Sequence, residues 1–122
     1  MTELVLERTP THARSGWVRV CAVDDLEPCW GEAALVDGAQ VALFRLPGGR
    51  IHAVGNRDPR TSASVMARGI VGSRGSTATL ASPLHKEVYD LATGECLTGG
   101  QLSLPVHETR VVDGCIEVAV LA

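Results

Sequence analysis

Four cysteines, four histidines and two polar, proline-containing loops are the parts of this sequence that could do chemistry. Thiols at positions 21, 29, 96 and 115 and imidazoles at 12, 52, 85 and 107 are ligand types for zinc or iron. Their spacing argues against that use. No two cysteines form C-x-x-C and none stands in C-x-H, so the usual zinc and cluster patterns are absent. Cys21, Cys96 and Cys115 are expected as small apolar residues of strands or packed loops, and Cys29, in a polar loop, as exposed. A structural disulfide is the alternative. His12, His52 and His107 are scattered and expected at surfaces or strand edges. Serines and histidines are present, but no G-x-S-x-G elbow brings them together. Gly69-Ile70-Val71-Gly72 and Gly99-Gly100 lack the strand–loop–helix setting of a phosphate site. No catalytic residue is assigned.

The two loops are Asn56-Arg57-Asp58-Pro59 and Ser82-Pro83-Leu84-His85-Lys86. Asn and Asp near a proline shape turns by bonding their own backbone, and a Ser before proline closes an ST-turn in the same way. Direct contact with a partner is the other use for Asn56 and Asp58. Arg57, Arg60, Arg68, Arg74 and Lys86 fall in or between these loops. Such a cluster is ordinarily a solvated face contributing little to stability.

The elements that must hold these loops are strands. Val18 and Val20 alternate over 17–21, and residues 24–28 make a turn or a single helical turn. Segments 32–36 and 40–46 flank Asp37-Gly38, and 106–112 and 115–121 flank Asp113-Gly114. An Asp-Gly pair supplies the two positive φ angles of a type I′ hairpin turn. The apolar run 41–44 predicts a strand buried on both faces. Pro47-Gly48-Gly49 reverses the chain into a strand over 50–55, completing a meander. Short strands are expected at 70–71, 77–81 and 87–91, with a helical turn at 64–68 ended by Gly69. The sum is an all-β sandwich or small barrel of about ten short antiparallel strands.

At 122 residues the chain should form one domain. Residues 1–15 are polar and aperiodic and are expected as an N-terminal arm. A net charge of −3 argues against a nucleic-acid surface. No apolar run approaches the ~20 residues of a membrane span. Residues 1–14 carry Glu3, Glu7, Arg8 and Arg14 and do not read as a signal peptide, so a cytoplasmic location is expected, with reduced thiols.

The meander, the loop at Asn56, the loop at Ser82 and the turn Tyr89-Asp90-Leu91-Ala92-Thr93-Gly94 together resemble a Rieske domain. The resemblance implies a domain over 16–122 with a cluster-binding-like subdomain at about 55–95. In that family the first loop carries C-x-H and the second C-x-x-H. Here Asn56, Asp58, Ser82 and His85 stand at the four ligand positions. A Rieske cluster needs two thiolates on one iron and two imidazoles on the other. Hard neutral oxygens from Asn56 and Ser82 compete poorly for such iron, so no cluster and no metal are expected on this chain. His85, alone of the four a family-type ligand, is expected as a solvated or interface residue.

N-x-D-P and S-P-x-x-K in these loops, with Gln40-Val41-Ala42-Leu43-Phe44-Arg45 and Asp90-Leu91-Ala92-Thr93-Gly94-Glu95-Cys96-Leu97, resemble a narrower group. That group is the small subunit of assimilatory NAD(P)H-dependent nitrite reductase, and the likeness spans about 17–120. It implies an accessory, non-catalytic subunit of a cytoplasmic enzyme of nitrate assimilation that reduces nitrite to ammonia. FAD, siroheme and a 4Fe–4S cluster would reside on the large subunit. In this fold both loops gather at one tip, so Arg57, Pro59, Arg68, Pro83, Leu84 and Lys86 are the expected contact with the large subunit. The alternatives are a Rieske-type 2Fe–2S electron-transfer ferredoxin with unusual ligands, and a stand-alone β-module binding a peptide or small molecule.

Overall fold

The computed structural model describes residues 16–119 and the backbone of one strand before them, β1 (Val5–Arg8). The remainder of the expected arm, and residues 120 and 121 of the expected last strand, lie outside the described residues. β2 (Val18–Ala22), β3 (Glu32–Val36), β4 (Ala39–Arg45) and β5 (Ile51–Gly55) come first. β6 (Ile70–Arg74), β7 (Thr77–Ala81) and β8 (Val88–Asp90) follow, then β9 (Val106–Val112) and β10 (Cys115–Ala119). Seven strands form one sheet in the order β1-β3-β4-β5-β9-β10-β2, and β6-β7-β8 form a second. Short 3-10 turns occupy Val23–Asp25 and Met66–Arg68, within or near the two segments where helical turns were expected.

Both Asp-Gly turns are two-residue hairpins of the expected kind. Asp37 and Gly38 have φ of 50° and 81°, and Asp113 and Gly114 have 53° and 76°. Val36 pairs with Ala39 and Val112 with Cys115 across them. One feature departs from the expectation of antiparallel strands. β1, inside the segment read as an aperiodic arm, pairs parallel to β3 with Val5 opposite Ala33. A four-residue strand is too short to show a period of two, and its partner is remote in sequence.

β4 explains the architecture. Its residues Val41, Ala42, Leu43 and Phe44 are all fully buried, because the strand has apolar contacts on both faces. Val41 and Leu43 join Val18, Val20, Val36, Ile116 and Val118 inside the seven-stranded sheet. Ala42 and Phe44 turn the other way and meet Leu80, Tyr89 and Leu91 of the second sheet, together with Met66 and Leu104. β5 alternates in the same way, Ala53 facing the first core and Val54 the second, so the two cores meet across β4 and β5, and the second fixes the three-stranded sheet against the outside of the first. Cys21 and Cys96 are buried in these two cores, Cys115 is half-buried and Cys29 is exposed; all four are free thiols. On β10, Glu117 is buried among polar partners, accepting from Arg110 at 2.7 Å and Arg19 at 3.4 Å. No helix among the described residues is long and apolar enough to cross a membrane.

Candidate functional site

The first loop, 56–64, leaves β5, and the second, 82–87, joins β7 to β8. Each closes on itself: Asp58 N–H donates to the Ala63 carbonyl at 2.7 Å and Ser82 N–H to the Glu87 carbonyl at 2.9 Å. Three polar side chains within them are nearly inaccessible: Asn56 is 3% exposed, Asp58 1% and Ser82 6%. Burial of such groups demands partners, and all three have them.

Asn56 ties the first loop to its surroundings. Its amide donates to Gln40 Oε1 at 3.1 Å, and its Oδ1 accepts from the Ala67 N–H at 2.7 Å. Met66 N–H donates to the Asn56 carbonyl at 2.9 Å, so the 3-10 turn at Met66–Arg68 hangs from this residue. Asp58 Oδ1 accepts from the N–H groups of Arg60 (2.8 Å) and Thr61 (3.4 Å), an Asx-type turn. Its Oδ2 accepts from the Ser82 hydroxyl at 2.6 Å, across 24 residues of sequence. Ser82 Oγ in turn accepts from Leu84 and His85 N–H at 3.2 and 3.4 Å. On the outside, Arg60 and Glu87 form a second cross-link at 3.0 Å.

Three of the four positions singled out in the sequence, Asn56, Asp58 and Ser82, are thus the buried polar heart of the site. His85 is exposed beside them, with Pro83, Leu84 and Lys86; Leu84 is half-exposed to water. Arg57 is exposed and donates to Ser62 Oγ at 2.9 Å, and Pro59 is half-buried. Arg68 lies on another feature, a groove of about 600 Å³ lined by Cys29, Trp30, Gly31, Gly69 and Ile70 among others. Trp30 and Ile70 are 64% and 70% exposed there. Gln40 and Ile70 stand in the sequence as strand residues and Trp30 as a loop residue, none of them with an expected site role. A tryptophan in the loop Pro28-Cys29-Trp30-Gly31 was a usable signal, whereas nothing local marks Gln40 as the partner of Asn56.

The electrostatics follow the hydrogen bonds. Burial pushes the Asp58 carboxyl up, but the Ser82 hydroxyl, the Arg60 and Thr61 amides and nearby His85 together hold it below its ordinary 3.8. Tyr89, fully buried with an unpartnered hydroxyl, is pushed up to about 12, chiefly by desolvation and then by Cys96, Asp58 and Glu87. His52 is held below its ordinary 6.5 by burial and Arg50, against a smaller opposing pull from Asp90; His107 is lowered by burial.

These shifts give the protein two acid-sensitive windows. The unfolded chain takes up protons on His52 and His107 before the folded one does, so stability falls as pH drops below 6.5. Asp58 acts lower down: its contribution is complete above 3.8 and is lost as pH falls through its folded value. Thermal melts from pH 8 to 3 are expected to show both slopes, and His52→Gln with His107→Gln should abolish only the upper one. An upper slope that survives the double substitution would assign it elsewhere.

Residues 16–119 match the family described as the Rieske-like 2Fe-2S domain. The nitrite reductase (NADH) small subunit of Salmonella typhimurium is 36% identical over 105 residues, covering 85% of this chain and 97% of that one. The chain belongs to this small-subunit family of Rieske-like domains. A crystal structure from Mycobacterium tuberculosis, assigned as an NADH-dependent nitrite reductase small subunit, superposes with a TM-score of 0.83. It is 49% identical, covering 87% of this chain and 96% of that one. The nitrite reductase NAD(P)H large subunit of Klebsiella oxytoca carries a related segment, 30% identical over 102 residues, covering 84% of this chain but 11% of that protein.

The Rieske-like family description names an iron–sulfur cluster, and the donor set here does not fit one. Neither loop contains a cysteine. Ser82 spends its proton on Asp58 and its acceptor capacity on two backbone N–H groups, while both Asp58 oxygens are engaged. Asn56 spends its amide on Gln40 and its oxygen on Ala67. Among the described residues no three His, Cys, Asp or Glu side chains converge as metal ligands.

Proposed function

We propose that this chain is the accessory small subunit of a cytoplasmic NAD(P)H-dependent nitrite reductase that converts nitrite to ammonia in nitrate assimilation. It contributes no redox centre and no catalytic residue. FAD, siroheme and a 4Fe–4S cluster belong to the large subunit, against which the two-loop tip docks. The observation that carries this reading is that Asn56, Asp58 and Ser82, at three of the ligand positions, are buried and hydrogen-bonded within the protein, in a chain of the nitrite reductase small-subunit family. The Klebsiella oxytoca large subunit supports the partner, since there a related segment is part of the large chain itself.

The docking face has two parts. Arg57, Pro59, Pro83, Leu84 and Lys86 make the loop tip, and Arg68 adds the rim of the groove that holds Trp30 and Ile70. Apolar side chains rimmed by cations are the composition expected of a partner contact. Reversing charge at Arg68 and Lys86 together, both to Glu, should reduce copurification with the coexpressed large subunit about tenfold or more. Circular dichroism and melting temperature of the doubly substituted chain check that it folds. Undiminished copurification by a folded variant refutes docking through this face. Stoichiometric iron and sulfide in the isolated wild-type chain would instead favour an electron-carrying ferredoxin.

A further inference from the structure

We propose that the Asp58–Ser82 hydrogen bond is a metal-free latch that couples the two loops into one cooperative unit, the mechanical task a cluster would perform by ligating both. The inference rests on the reading that this chain holds no cluster, and goes beyond it by giving the residues left at the site a positive task. Each latch residue has two duties. Asp58 closes its own loop by accepting from Arg60 and Thr61 N–H through one oxygen, and bonds Ser82 through the other. Ser82 closes the second loop by accepting from Leu84 and His85 N–H, and donates its single proton to Asp58. A hydroxyl-to-carboxylate bond of 2.6 Å, with both partners almost wholly shielded from water, is of the strong charge-assisted kind. The exposed Arg60–Glu87 pair is the weaker of the two links between the loops, because solvent screens it. Asn56 is the anchor: it holds the first loop to Gln40 and to the Met66–Arg68 turn, so the latch pulls against a fixed post.

Opening the latch should therefore loosen both turns at once, although they are far apart in sequence. Amide hydrogen exchange on the full chain is the test. Ser82→Ala removes only the hydroxyl; the expected result is faster exchange at Leu84 and His85, whose acceptor is lost, and also at Arg60 and Thr61, whose acceptor is intact. The expected acceleration at all four is about tenfold to a hundredfold. Ser82→Thr restores the hydroxyl and should restore protection. Acceleration confined to Leu84 and His85 overturns the latch, since the loops would then be independent. Iron chelation of the wild-type chain separates the two claims. Unchanged protection after chelation is expected; loss of protection would show that a bound metal closes the loops and would sink the cluster-free reading itself. If Ser82→Ala unfolds the chain, Asp58→Asn provides the second variant. It keeps an oxygen for its own turn while weakening the link to Ser82, and should accelerate exchange at Leu84 and His85; unaltered exchange there overturns the latch.

Discussion

Gly94→Ala is expected to lower stability by about 2–5 kcal/mol, from positive-φ backbone strain and overpacking acting together. Gly94 has φ of +79°, a region where a side chain is strained. A Cβ built there would lie 2.0 Å from the Leu104 carbonyl oxygen and 3.0 Å from Val106 Cγ2. Neither neighbour can yield cheaply. Leu104 is a buried core residue whose N–H donates to the Gly94 carbonyl at 2.8 Å, and the Gly94 N–H donates to Asp90 at 2.7 Å. The glycine thus marks where the turn after β8 touches the segment leading back to β9, the return path from the second sheet to the first. Gly75→Ala is the informative control. It shares the positive φ, +60°, but has no atom within 4 Å of its Cβ position, so it should lose only the backbone share of about 1–2 kcal/mol. Denaturant midpoints for the two variants would separate strain from collision; equal losses would mean that the Leu104 segment moves aside freely.

The Tyr89-Asp90-Leu91-Ala92-Thr93-Gly94 turn was visible in the sequence, and so was much of what surrounds it. Asp37-Gly38 and Asp113-Gly114 act locally, because two residues with positive φ impose a hairpin whatever lies beyond them. The run from Val41 to Phe44 announced a strand covered on both faces, and β4 supplies residues to both cores. The site was legible only in part. Asn56, Asp58 and Ser82 stood out by their place in the two loops, and turn chemistry accounts for the bonds that Asp58 and Ser82 make to nearby backbone, whereas the Asn56 side chain reaches past its own turn to Ala67. The Asp58–Ser82 bond and the Asn56–Gln40 bond join residues brought together by the fold, which no spacing rule encodes. Arg68 shows the same limit from the other side. The sequence sets it between the loops, and the 3-10 turn ending at Arg68 also puts it on the groove beside Trp30, which no local pattern announces. β1 escaped notice because its pairing is parallel and remote, and four residues offer too little pattern.

Phe44→Ala is expected to cost about 3–5 kcal/mol in the second core. The ring is fully buried and reaches the cluster formed with Leu80, Tyr89 and Leu91. Gly31 packs so closely that an added Cβ would stand 2.6 Å from the ring, so little backbone adjustment can fill the space left by alanine. Leu43→Ala, one residue away on the same strand but pointing into the seven-stranded sheet, should cost about 2–5 kcal/mol through the other core. The difference between them is one of place. Losing Phe44 weakens the contact between the two sheets, so amides of β7 and β8 should lose more protection than those of β9 and β10. Losing Leu43 should show the opposite bias. Because Ser82 follows β7 directly, the Phe44 variant is also expected to loosen the second loop, and with it any partner contact made by Leu84 and Lys86. Equal loss of protection in every strand would mean that the two cores open as one unit. The three-stranded sheet could then not be treated as a platform with a stability of its own.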